Sequence, residues 1–418
     1  MITRIYELIT RIWYRHRAMA IAVPVIALVA IVVASLLLVG GGGGGSAQAS
    51  ATPGATSSAT TSALASLVPN ESPTPTEGES PTPTISPTPT LNPTPTPLPA
   101  GMAYADLDGV LTTTALAHRL PMAFMIDNQT SASRPQSGMS TASIVIQAPN
   151  DLSSDRYQMY FQEGTAVGIG PVRSTRPYYV KWADEYKALL GHYGGDALVL
   201  QVTIPANKGL FYNLDGLRGG SCAYHRIKTR VIPHNVYTST AAAIKCATKL
   251  GYPATYQNMP TRPFRADTPA AQLPAQQVFT IKYPTETIGY TFDPATDSYL
   301  RSESYKVTSS SGKVGIISGP ELDKATGKDV YARNVIVMYQ AIGVQWYEPH
   351  DARRTVGSIG SGKAVVFQEG KEIIGTWSKP TDTALTRFYD STGKEIPLVR
   401  GEIFIQSIPS SYPLTIIK

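Results

Sequence analysis

Residues 18–40 read AMAIAVPVIALVAIVVASLLLVG, a run without a single charge. A helix needs roughly 20 apolar residues to cross a bilayer, so this run predicts a transmembrane helix. Arg4, Arg11, Arg15 and Arg17 precede it against Glu7 alone. The positive-inside bias then keeps residues 1–17 in the cytoplasm as a basic tail and exports everything after residue 40. SAQAS at 46–50 offers small residues at a cleavage site, but the apolar run is long for a cleaved signal peptide, and an uncleaved anchor is the expectation. The chain is thereby expected to be a single-pass protein of the cell membrane, with its globular mass outside the cytoplasm.

Residues 41–102 begin with five glycines and continue into repeated Pro-Thr units such as SPTPTEGESPTPTISPTPTLNPTPTP. Such a stretch cannot bury enough apolar surface to fold, and its prolines hold it near polyproline II. It predicts a disordered stalk whose proline-rich part spans on the order of 150 Å at about 3.1 Å per residue. Asn70 and Asn128 open Asn-x-Ser/Thr sequons, read as chance matches. The chain has two cysteines, Cys222 and Cys246. An exported location permits a disulfide between them, and two buried thiols fit the pattern equally well. No cysteine follows the apolar run, which excludes lipid attachment there. Outside tail and stalk stand thirty-two basic and twenty-six acidic residues. This mild excess without a basic block argues against a nucleic-acid partner and is compatible with anionic wall polymers or lipid headgroups.

The expected fold class is α+β, with a mixed α/β part at 103–260 and a β-rich part at 278–418. MAFMIDN (122–128), TASIVIQAP (141–149), QMYFQE (158–163) and LVLQV (198–202) predict strands. RPYYVKWADEYKALLGHYGG (176–195) has near-helical apolar spacing with proline in its first turn and two glycines after it. STAAAIKCATKLG (239–251) predicts a helix with a serine cap and a glycine stop. From 278 onward short alternating strands are joined by Asp/Gly/Ser turns, among them PATD and STGK. The Pro/Ala/Gln-rich stretch at 255–277 marks the boundary between the two parts.

GSIGSGKA (357–364) nearly matches a phosphate-binding loop, but Ala364 stands where the metal-binding hydroxyl belongs and a strand pattern follows. It reads as a turn. The pattern G-x-S-x-G is absent, and no histidine pair or cysteine pair has a metal-ligand spacing; no metal and no cofactor are expected. Polar residues gather instead at the ends of apolar strands: Asp127, Asn128, Arg134, Arg156, Arg173, Arg176, His192, His234 and Asn235. Strand ends and helix starts are where α/β folds place ligands. The planar guanidinium suits carboxylate or phosphate. These arginines either line a site for an anionic ligand or brace loops through Asp127, Asp151 and Asp184.

MAFMIDNQTSASRPQSGMSTASIV, GIGPVRSTRPYYVKWADEYKALLGHYGG, LDGL (214–217) and IPHNVYTS resemble the N-terminal part of the YerB-like family. ARNVIVMYQAI, GSGKAVVFQEGKEIIGTWSK and TRFYDSTGKEIPLVRGEIFIQSIP resemble its C-terminal part. The resemblance covers roughly residues 105–410. It implies a two-part α+β fold, an envelope location and a domain of unknown function, and it supplies no reaction. Family members are commonly lipoproteins, whereas this chain has a transmembrane anchor and stalk instead. Many also carry an acidic EGG-like step where NDLSSDR stands here, which weighs against catalysis. The expectation is a wall-side protein that binds an anionic envelope ligand and is not an enzyme. The alternatives are an envelope hydrolase or transferase using Asp127 or Asp151 with His192 or His234, and a protein-interaction module at the cell surface.

Overall fold

The computed structural model describes residues 98–417 apart from 152–153, 310 and 349–350. The expected cytoplasmic tail, transmembrane helix and nearly all of the stalk lie outside the described residues. Among the described residues no helix is long and apolar enough to cross a membrane.

A ten-stranded sheet organises the body. Its strands, in chain order, are β1 (Met122–Asp127), β2 (Ile144–Pro149), β3 (Asp155–Phe161), β4 (Leu189–His192) and β5 (Tyr212–Asp215) from the first half. A second sheet then takes β6 (Val278–Lys282), β7 (Glu286–Asp293), β8 (Ser298–Thr308) and β9 (Val314–Pro320). The chain returns to the large sheet with β10 (Asn334–Tyr339) and forms a separate hairpin, β11 (Ile342–Glu348) and β12 (Asp351–Val356). It completes the large sheet with β13 (Gly360–Gln368), β14 (Lys371–Lys379), β15 (Arg387–Asp390) and β16 (Ile403–Ile408), and ends with β17 (Leu414–Ile417) on the second sheet. The large sheet runs β15-β14-β13-β10-β16-β2-β3-β1-β4-β5.

The two halves of the chain therefore share one sheet. β16 pairs in parallel with β2, Ile403 opposite Ile144 and Gln406 opposite Gln147. The stretch at 255–277 is woven into the body as well: Phe264–Arg265 pairs with Leu398–Val399, and buried Arg262 donates to Tyr186 Oη and the Thr386 carbonyl. Prolines and alanines set the composition there, while Met259 and Arg262 do the packing.

Both faces of the large sheet are covered, which is why its central strands are apolar without alternation. Met122, Phe124 and Ile126 face the second sheet and helix α2 (Thr240–Lys249), whereas Ala123 and Met125 face helix α1 (Pro177–Asp184). Phe279 of the second sheet stacks on Phe367 of the large one with ring centroids 3.8 Å apart. Helix α2 starts at a Ser239 side chain that accepts from the Ala242 N–H, as its sequence predicts. A disulfide joins Cys246 on α2 to Cys222, which settles the open alternative in favour of the bridge.

Two elements depart from expectation. The helix begun at Pro177 stops at Asp184, Lys187 turns into the left-handed region (φ 47°), and Leu189 and Leu190 belong to β4. Their spacing fits a helix by accident, because both strand faces here are buried. Residues Val199–Thr203, expected as a strand, are helical, with Asp196 accepting from the Val199 N–H. A short apolar run has no periodicity to separate a buried helix from a buried strand, and the acidic cap decides it.

Candidate functional site

β1, β2, β4, β5, β10 and β16 all run in one direction, so their carboxyl ends form one edge, the usual place for a ligand in such sheets. Asp127, His192 and Asp215 close β1, β4 and β5 there. The segment Gly170–Arg176 lies across this edge as a strap. Asp127 N–H donates to the Pro171 carbonyl, Arg173 N–H to Met125, Tyr193 N–H to Arg173 and Thr175 N–H to Gly194, all at 2.9–3.1 Å. Gly170 is needed where the strap passes over Tyr237, because a Cβ would sit 2.7 Å from that ring.

The strap sends its two arginines to different partners. Arg173 Nε lies 3.3 Å from Asp127 Oδ2, and the same oxygen meets His234 Nδ1 at 2.6 Å. Asp127 is fully buried, whereas the Arg173 side chain is one-fifth exposed. Arg176 is buried and braced by Asp151 at 3.1 Å and Asp196 at 3.4 Å. It also donates to the Thr175 carbonyl and to Ser174 Oγ. Arg156 sits fully buried beside it, donating to the Ser174 carbonyl and hydroxyl. Burial, reinforced by the like charge of Arg176, pushes Arg156 down to about 10. Asp151 is partly buried, which opposes ionisation, but Arg176 and Arg156 hold its carboxyl below the usual range.

The remaining sequence candidates go elsewhere. Asn128 and Arg134 enter a buried polar layer between the two sheets. Asn128 Nδ2 donates to both Asp155 and Glu286, and Gln147 Nε2 donates to the same two carboxylates. Arg134 pairs with Glu286 and with Glu303, and its guanidinium lies 4.3 Å from the Tyr305 ring centroid. His192 is enclosed; Nδ1 faces the Gly194 carbonyl and Nε2 the Asn213 amide, both at 2.8 Å. Asn235 accepts from Arg226. The nine residues thus form no single cleft. Asp127, Arg173 and His234 come together, as do Arg156 and Arg176; Asn128 and Arg134 meet at Glu286, and His192 and Asn235 stand apart. Among the described residues no group of three or more His, Cys, Asp or Glu is placed to hold a metal ion.

Next to Arg176 opens a cleft of about 290 Å³ that sequence reasoning missed. Helix α1 contributes Pro177 and Tyr178 from its first turn and Lys181 from its last, the β12 strand and the turn after it contribute Arg353 through Ile359, and Asp196 lies on its wall. Lys181, Arg353 and Arg354 bring three cationic side chains to the cleft; Lys181 is ion-paired with Asp382 at 2.5 Å, and the Asp196 carboxylate on the wall is engaged by Arg176. The doublet in DARRTV was the visible trace of this site. What no sequence pattern revealed was that the β11–β12 hairpin packs beside a helix some 170 residues earlier in the chain.

Arg176→Ala is expected to destabilise the fold by about 3 kcal/mol, since it removes the ion-pair partner of Asp196 and leaves Asp151 with Arg156 alone. Arg173→Ala is expected to cost about 1 kcal/mol, because His234 still engages Asp127. Thermal unfolding of the two variants checks the contrast; equal losses would mean that Arg173 is the brace.

Fold and site together define a two-sheet α+β body whose polar residues are largely paired internally, with a cationic cleft at the carboxyl edge of its main sheet. The family models described as "Protein of unknown function (DUF3048) N-terminal domain" and its C-terminal counterpart match residues 107–253 and 279–405. The chain belongs to this family. It is 27% identical over 311 residues to "Putative lipoprotein YerB" of Bacillus subtilis (strain 168), covering 73% of this chain and 86% of that protein. The crystal structure of YerB from Bacillus subtilis superposes with a TM-score of 0.62 at 25% identity, over 75% of this chain and 99% of that one.

Proposed function

We propose that the protein is a membrane-anchored, extracytoplasmic binding protein that holds an anionic component of the cell envelope in the cleft between α1 and the β12 strand. The observation that carries the reading is the convergence of Lys181, Arg353 and Arg354 on one cavity whose lining also includes Pro177 and Tyr178 of the first turn of α1. The positive end of the helix dipole and three cations favour phosphate or carboxylate there. The envelope location is supported by the relative's description as a lipoprotein and by the uncharged run at 18–40. Sedimentation with purified wall material tests it: binding is expected to fall when anionic polymer is stripped from the wall, and undiminished binding would remove the anionic ligand from the account.

A second reading is favoured by the Asp127–His234 contact. A buried carboxylate fixing one imidazole nitrogen is the arrangement that orients a histidine for proton transfer. This reading makes the protein an envelope hydrolase or transferase. Wall fragments incubated with the protein would then yield new products by mass spectrometry, absent with His234→Gln. No products from the unaltered protein would exclude it.

A further inference from the structure

Between residues 197 and 249 stand seven Lys/Arg against one acid, Asp215, and that acid is buried and paired with Arg218. The surface of this segment carries a cationic excess: Arg226 and Lys228 are exposed, and so is Arg218, whose charge is matched by Asp215. It also carries the most protruding pair of adjacent large apolar side chains in the described residues, Val231 at 69% and Ile232 at 71% exposure. Leu217, in the neighbouring turn with Arg218, is 60% exposed.

The loop that displays Val231 and Ile232 is held firmly. His225–Arg226 pairs with Val236–Tyr237 in a two-stranded ladder, and Ile227 N–H donates to the Asn235 carbonyl. Arg230 donates to the carbonyls of Ala132 and Pro135, and His234 N–H closes back on the Val231 carbonyl. The disulfide from Cys222 to Cys246 ties the base of the loop to α2. The outward position of the two apolar residues is therefore built into the fold. A soluble polyanion would engage the cations and leave Val231 and Ile232 in water. A bilayer engages both, with basic side chains on lipid phosphates and the apolar tip in the headgroup–acyl boundary.

We propose that the loop between His225 and Tyr237 is a peripheral membrane contact, in which Val231 and Ile232 enter the interface of an anionic bilayer and Arg226 and Lys228 meet its phosphates. This contact is independent of the anionic cleft, and by it the globular body lies on the membrane to which the chain is tethered. The crystallised relative, matched over 99% of its own length by this body, shows that the fold forms without the segment before it, so residues 91–418 serve for the test. Flotation is measured with vesicles of phosphatidylglycerol and phosphatidylcholine, with pure phosphatidylcholine vesicles, and against soluble polyphosphate. The unaltered body is expected to float with the anionic vesicles only. Val231→Ser/Ile232→Ser is expected to lower that binding at least about tenfold with an unchanged melting temperature, and Arg226→Ser/Lys228→Ser to do the same. Flotation of the apolar double variant like the unaltered body, or no flotation of the unaltered body, overturns the proposal. Polyphosphate binding that competes fully and ignores Val231 and Ile232 would make the patch a polyanion site instead.

Discussion

Arg301→Ala is expected to cost about 3–5 kcal/mol, a large share of the roughly 5–15 kcal/mol that holds a domain folded. Arg301 is fully enclosed between the sheets, pairs with buried Glu321 at 2.6 Å, and donates to Gln147 and to the Tyr157 and Tyr290 hydroxyls. Gln147 and Tyr157 belong to the large sheet and Arg301 to the second, so its loss opens the seam between them. Removing the guanidinium leaves the Glu321 carboxyl buried without its counter-charge. Thermal and urea unfolding of the variant should show a much lower midpoint; a loss under 1 kcal/mol would mean that the seam is held by its aromatic contacts alone. Arg301→Met is the informative control, because an apolar chain of similar length keeps the packing while removing the same ion pair.

The same layer makes a second prediction, on pH. Asp155, Glu286, Glu303 and Glu321 face Arg134 and Arg301, four carboxyls against two guanidinium groups. The layer therefore retains protons. Burial, and next the charge of Glu286, holds the Asp155 carboxyl well above its usual range. Burial, and next Glu321, pushes Glu303 up to about 8. A carboxyl whose folded value is raised stabilises the fold fully below its unfolded value and loses that contribution as pH rises toward the folded one. Stability from Glu303 should thus decline between about pH 4.5 and pH 8, by on the order of 5 kcal/mol. Glu303→Gln is expected to flatten this decline, since the amide mimics the protonated acid and its oxygen still accepts from Arg134. Melting curves across that range check it; an unaltered alkaline slope in Glu303→Gln would place the titrating group elsewhere.

The central strands were legible because burial on both faces leaves them almost wholly apolar: MAFMIDN ends one residue past β1, while TASIVIQAP starts three residues before β2 at Ile144. The capped helix at 240–249 was legible for the opposite reason, that its ends carry their own chemistry. At 189–190 both strand faces are buried and neighbouring elements decided the outcome, whereas at 199–203 the Asp196 cap was the local mark that set the helix. The site was half legible. That Arg134, Arg156 and Arg176 sit near strand and helix ends follows from sequence, as does Asp151 as a brace for Arg156 and Arg176, but the partners of Arg134 do not. Glu286 and Glu303 lie more than 150 positions from Arg134, and no spacing rule connects them. The composition change near 255–277 was visible too, although the strands beyond it rejoin the first sheet, because sheet order is set by facing surfaces rather than by chain order.

The account stands on an anionic ligand held between α1 and the β12 strand. The most direct measurement is calorimetric titration of residues 91–418 with a soluble phosphate-bearing wall fragment at low and high salt, for the unaltered body and for Lys181→Glu/Arg354→Glu. Charge-assisted contacts to two such side chains are worth about 1.5–3 kcal/mol each, so the reversal is expected to weaken binding at least a hundredfold and to abolish its salt dependence, with Asp382→Asn as the control for the lost Lys181–Asp382 pair. Equal affinity of the two proteins for the fragment would contradict the account.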